Sequence, residues 1–200
     1  MKEIMDKKER MNAVGATADR HEFGFWVYLM TDLVIFGVLF AVYFVLKANT
    51  FGGPSSNDLF SLPTALTNTL VLLASSFTCG LATLAAKRGK VNQTIAWLAV
   101  TLVLGATFLT LELAEFSRFV AMGASWQRSA FLSAFFTLVG THGLHISVGL
   151  LWIMVAIIQL KVKGLTPSVV SKLDRFTLFW HFLDIVWIFI FTTVYLMGIM

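Results

Sequence analysis

The chain has 200 residues, of which 58% are hydrophobic and only 13% charged, against roughly 25% charged in soluble domains; with a mean hydropathy of +0.81 this excludes a water-soluble globule and points to a polytopic helical membrane protein. The net charge of +4 comes from basic residues that fall between apolar runs, which suits lipid headgroups and argues against a nucleic-acid surface. The only cysteine, Cys79, excludes an intrachain disulfide and a multi-cysteine metal site.

Residues 1–22 carry five basic and five acidic groups. They read as a flexible, solvated tail and show no signal-peptide pattern, because the apolar run that follows is long enough to span. A spanning helix needs about 20 apolar residues. Five such stretches follow, at about 23–46, 64–86, 94–117, 130–160 and 176–198, and they form a single all-α domain over 23–200. The fourth exceeds a bilayer's thickness, so it tilts or protrudes. The connections have loop chemistry: NTFGGPSSND (49–58), KRGK (87–90), MGASWQR (122–128) and KGLTPS (163–168). Ser61 and Pro63 suit a helix start, and Thr166-Pro167 suits a break.

Five spans put the termini on opposite sides. Of the 15 basic residues, only Lys47, Arg118 and Arg128 fall on the far side from the N terminus. By the positive-inside rule the N terminus is cytoplasmic and Met200 is outside.

Ionisable residues within apolar spans are functional candidates by default, since charge is costly in hydrocarbon. They are Asp32, Glu112, Glu115, His142, His145, His181 and Asp184, with His21 just ahead of the first span. At about 1.5 Å per residue, Asp32 lies roughly 14 Å deep, His181 roughly 8 Å and Asp184 roughly 12 Å. In a core about 30 Å thick, His142 and His145 lie roughly 12 Å and 8 Å from the same face. Asp32, His142, His145, His181 and Asp184 thus fall in one layer of the cytoplasmic half. His142 and His145, and likewise His181 and Asp184, are three residues apart and share a helix face. Glu112 and Glu115 have the same spacing near the outer end of the third span, where Arg118 can reach Glu115 close to water.

Each histidine has a plain reading, a hydrogen bond to a neighbouring helix. Two sharper readings stand beside it: haem ligation by His181 with His142 or His145, and a metal site from His142, His145, His181 and Asp184. Haem needs room, and the surroundings of H-G-L-H are tightly apolar. Asp32 has no basic partner in its own span, so it is protonated, bonded to a histidine, or titrating. The six Trp fall partly at span ends, as aromatic belts do. Gly140, Gly143 and Gly149 suggest close helix approach.

The segments FLSAFFTLVGTHGLHISVGLLWI (131–153) and FWHFLDIVWIFIFTTVYLMG (179–198), with FGFWVYLMTDLVIF (23–36) and TFLTLELAEF (107–116) in the same order, resemble haem-copper oxidase subunit III. The likeness covers nearly the whole chain beyond the tail. It is to the five-helix members, and in carrying Asp rather than Glu at position 32 the chain is similar to the bo-type ubiquinol-oxidase branch.

The resemblance implies a non-catalytic subunit of a proton-pumping terminal oxidase in a bacterial inner membrane. Such a subunit holds no haem and no copper, which belong to subunit I. It contacts subunit I chiefly, and also subunits II and IV, stabilises subunit I through turnover, supports proton uptake and binds phospholipid. The resemblance also implies that the carboxyl at position 32 lies near His142. The alternatives are subunit III of a cytochrome c oxidase and, in another class, a stand-alone bis-histidine haem protein. A small transporter is disfavoured by the lack of mid-membrane Lys and Arg and of inverted repeats.

Overall fold

The structure is a computed structural model that describes the backbone of residues 2–53 and 56–199 and the side chains of residues 22–53, 56 and 59–198. His21 and the mobile tail expected over 1–22 fall almost entirely outside the described side chains. Among the described residues all regular structure is helical: α1 Lys2–Leu46, α2 Ser56–Leu59, α3 Leu62–Lys87, α4 Val91–Ala121, α5 Ala130–Lys163 and α6 Pro167–Ile190. A π-helical segment, Phe191–Leu196, continues α6 and leads into α7, Met197–Ile199. Five stretches are long and apolar enough to cross a membrane: Glu22–Leu46, Leu62–Lys87, Val91–Ala121, Ala130–Lys163 and Pro167–Leu196. The five expected spans are therefore present, most of them extended at one or both ends, the fifth beginning nine residues earlier and stopping at Leu196.

Local chemistry sets those ends. Ser61 caps α3 by accepting from the Thr64 amide, with Pro63 in the first turn. Ser129 caps α5 through Leu132 N–H at 3.2 Å. Thr166 caps α6 and Pro167 opens it, so the expected break at Thr166-Pro167 is the start of a helix. Its charged first turns, with Lys172, Asp174 and Arg175, precede the apolar run, which is why hydropathy alone placed the start later. Gly164, at φ 66°, supplies the left-handed turn that closes α5.

The chain divides into two compact units, Met1–Ile35 and Phe36–Met200. The first is a single helical rod. In the second, α3 packs on α4, α4 on α5, α5 on α6, and α6 back on α3, closing a ring of four helices. Ser56 ties the start of α2 to the chain end by donating to the Gly198 carbonyl at 2.7 Å.

Lipid is as apolar as a leucine side chain, so helices associate here through close packing and interhelical hydrogen bonds rather than the hydrophobic effect. Both are visible around the two tryptophans of α6. Trp180 lies between Gly105 of α4 and Gly149 of α5; a Cβ on either glycine would stand 2.9 Å or 2.7 Å from its ring. Its indole N–H donates to Ser75 on α3 at 3.0 Å. Trp187 donates to Thr69 on α3 at 3.1 Å and meets Phe108 of α4 edge-on at 4.7 Å. Trp180 and Trp187 are thus core residues, whereas Trp26 and Trp126 are exposed as belt residues would be. Gly143 and Gly149 mark close approaches; Gly140 does not, its nearest neighbour being 3.9 Å away.

Candidate functional site

The polar residues of the second unit form two groups. One lies along the α3–α6 seam. Ser76 Oγ and His181 Nδ1 are 2.7 Å apart, and Asp184, one turn further along α6, interacts with both. Thr177 then meets Thr83 at 2.8 Å and Cys79 at 3.7 Å, and Asp174 pairs with Lys87 at 3.9 Å where both are exposed. Asp174, Thr177, His181 and Asp184 are one stripe at helical spacing, as are Lys87, Thr83, Cys79 and Ser76. The seam therefore strings hydroxyls, a thiol, an imidazole and carboxyls from an exposed ion pair to mid-helix. Sequence reasoning found His181 and Asp184 but missed Ser76, Thr83 and Thr177. Small polar residues at helical spacing were the available signal, but their partners lie about a hundred positions away.

The second group faces the inside of the ring. His142 is fully buried, with Nε2 3.2 Å from the Leu183 carbonyl of α6. Trp187 lies 5.1 Å and Phe108 5.8 Å from the His142 ring, centroid to centroid. Since a carbonyl only accepts, Nε2 carries the hydrogen. His145 turns away, its Nδ1 2.7 Å from Thr141 O of its own helix and its ring 5.3 Å from Phe36. His142 and His181, expected in one layer, thus have their hydrogen-bond partners on different helices.

Glu112 and Glu115, expected near the outer end of the third span with Arg118 in reach of Glu115, are both buried. The reason is twofold. Helix α4 runs on to Ala121, and the segment after α2 covers it, with Phe60 packed 6.1 Å from Phe119. Arg118, half exposed, reaches Glu115 at 3.9 Å and donates to the Leu59 carbonyl at 3.4 Å. Glu115 also accepts from the buried Tyr195 hydroxyl at 3.1 Å. Tyr195 belongs to the π-helical segment and is fully buried. Glu112 lies against α5, its Oε2 3.1 Å from where a Cβ on Gly143 would stand.

Asp32 belongs to the first unit. There it accepts a hydrogen bond from Tyr28, one turn earlier on α1.

His142 and His181 do not fit a haem as a pair: His142 Nε2 is engaged by the Leu183 carbonyl of α6 and its ring is flanked by Phe108 and Trp187, whereas His181 is bonded to Ser76 of α3. Among the described residues no three His, Cys, Asp or Glu side chains are grouped so as to hold a metal ion. What the arrangement offers chemically is hydrogen bonding and places for protons inside a membrane bundle.

A family model described as cytochrome c oxidase subunit III matches residues 9–199. The cytochrome bo(3) ubiquinol oxidase subunit 3 of Pseudomonas aeruginosa is 56% identical over 176 residues, 88% of this chain and 84% of that protein. The quinol oxidase subunit 3 of Bacillus subtilis is 49% identical over 176 residues, 88% of this chain and 86% of its own length. The cytochrome c oxidase subunit 3 of Bacillus sp. PS3 is 46% identical over 175 residues, 88% and 84% of the two chains. With five membrane-length helices and a match over nearly its whole length, the chain belongs to the cytochrome c oxidase subunit III family.

Proposed function

We propose that the chain is subunit III of a proton-pumping ubiquinol oxidase of aerobic respiration in a bacterial inner membrane, with the N terminus in the cytoplasm and the C terminus outside. The observation that carries this reading is identity of 49–56% to proteins named as quinol-oxidase subunits. The chain itself is non-catalytic. Haem and copper reside in subunit I, which it contacts and stabilises beside subunits II and IV, and phospholipid covers the remaining apolar helix faces. A cytochrome c oxidase is the second reading, favoured by the 46% identity to the Bacillus sp. PS3 protein. Purification through a tag on this chain distinguishes them. A co-purifying subunit II without binuclear-copper ligands, in a complex that oxidises ubiquinol, supports the first; one that holds the binuclear copper overturns it.

Within that complex, Asp32, His142, His145, His181 and Asp184 are structural first and support proton uptake second. The feature behind the second role is the α3–α6 seam, which leads from the exposed Lys87–Asp174 pair to His181 and Asp184. Twelve of the 15 basic residues, Lys87 among them, lie on the side read as cytoplasmic. Asp32→Ala is expected to leave haem content unchanged and to shorten the lifetime of activity during turnover. An unchanged lifetime removes the proton role of Asp32.

A further inference from the structure

Among the described side chains in the ring of helices that are at most 2% exposed, three have hydrogen-bonding atoms without a partner: both carboxyl oxygens of Glu112, both ends of the Asn68 amide, and Nδ1 of His142. Buried polar atoms are nearly always satisfied by protein or by ordered water, so three such groups together require an explanation.

They lie at one level. The contact between Thr78 and Thr101 at 2.8 Å fixes the antiparallel register of α3 and α4. From there Asn68 is about 15 Å back along α3 and Glu112 about 16 Å along α4, so the two are level. Glu112 Oε2 abuts the α5 backbone at Gly143, the residue after His142. Phe108, one turn before Glu112, packs edge-on against both His142 and Trp187, and Trp187 donates to Thr69, the neighbour of Asn68.

The chemistry of the three groups is complementary. An ionised Glu112 would be a buried anion without a donor, which a membrane interior tolerates poorly. Protonated, it offers one O–H and one C=O. The Asn68 amide supplies a donor and an acceptor, and His142 Nδ1 is a bare acceptor because Nε2 holds the ring hydrogen. None of these atoms is hydrogen-bonded to another, and a water with two to four polar partners can bridge such groups. The charged and titratable neighbours are Glu115 and Arg118 on α4, paired at 3.9 Å, and Tyr195, which bonds Glu115 and feels both carboxyls and Tyr43. Arg118 and Tyr195 thus serve Glu115 and leave Glu112 the one to be held neutral.

We propose that Glu112, Asn68 and His142 form an internal water-binding site that holds a protonated carboxyl. It is separate from the α3–α6 seam and does not depend on which electron donor the complex uses.

Infrared spectra of the purified intact complex in H2O and D2O test it. The wild type minus Glu112→Gln difference is expected to contain one protonated-carboxyl C=O band that moves down in D2O. Asn68→Leu is expected to keep the band and move it up, because the carboxyl loses a hydrogen-bond partner. A density map of the complex that resolves other buried waters should show a feature within hydrogen-bond reach of all three groups. Loss of a carboxylate band in place of a carboxyl band overturns the proposal, as does a band indifferent to Asn68→Leu or an empty site in such a map. If Glu112→Gln fails to assemble, the Asn68→Leu shift and the map decide on their own.

Discussion

The packing of Trp180 makes a quantitative claim about Gly149. A Cβ at position 149 would stand 2.7 Å from Cζ3 and 3.0 Å from Cε3 of Trp180, against a contact optimum of about 3.5–4.0 Å. The indole would have to retreat by roughly 1 Å. Its retreat is restricted, because the adjoining ring atoms Cη2 and Cζ2 already lie against Gly105, where a Cβ would meet Cη2 at 2.9 Å. A retreat of that size along the bond to Ser75, now 3.0 Å, would take it beyond hydrogen-bond range. Overpacking costs about 1–3 kcal/mol and a lost interhelical bond in a membrane about 0.6–1.7 kcal/mol. Gly149→Ala should therefore destabilise by about 2–4 kcal/mol. Unfolding in mixed micelles titrated with SDS, followed by tryptophan fluorescence, measures this. Gly140→Ala, whose Cβ has only Phe116 at 3.9 Å, is the control and should stay within about 0.5 kcal/mol of wild type. Trp180→Phe removes the ring atoms that clash, so Gly149→Ala on that background should cost less than about 1 kcal/mol, a coupling of at least about 1 kcal/mol. Equal costs on both backgrounds would refute the account.

Thr69→Val removes the acceptor of the buried Trp187 N–H and should cost about 1–2 kcal/mol in the same titration, with a shift in tryptophan emission; Thr69→Ser should restore both. Tyr195→Phe takes from Glu115 its hydroxyl donor and should cost about 1.5–3 kcal/mol, in the range of bonds to charged groups. Ser76→Ala breaks the 2.7 Å contact with half-buried His181. It should cost only about 0.6 kcal/mol, while the His181 ring signals in NMR of a histidine-labelled sample shift and those of His142 stay in place.

The architecture was legible because it is written in local terms. Runs of about 20 apolar residues mark spans whatever their neighbours do, and Ser61 and Thr166 cap helices through bonds three residues away. The errors were at the ends. Helix α6 begins at Pro167 and α4 ends at Ala121, each beyond its apolar run, because a capped helix continues into water or under a covering loop while hydropathy registers only lipid. The burial of Glu112 and Glu115 near the end of α4 was not legible, because the segment that packs there, with Phe60 against Phe119, is distant in sequence.

The site was legible one residue at a time but not as a set of partners. Helical periodicity predicts a shared face for His142 and His145 on α5 and for His181 and Asp184 on α6. It could not say that His142 points at the backbone of α6 while His181 points at α3, since that depends on how α6 is rotated within the ring. The rotation is fixed by Trp180 and Trp187, each held by a hydroxyl on α3. Once both indoles face α3, the Leu183 carbonyl between them can meet His142 of α5, and His181, next to Trp180, is brought to Ser76, next to Ser75. Residues that bear no chemistry themselves thus determine which chemistry-bearing residues meet. The W-H-F-x-D-x-V-W spacing therefore does two jobs in one helix: its tryptophans set the orientation, and its histidine and aspartate occupy the positions that orientation creates.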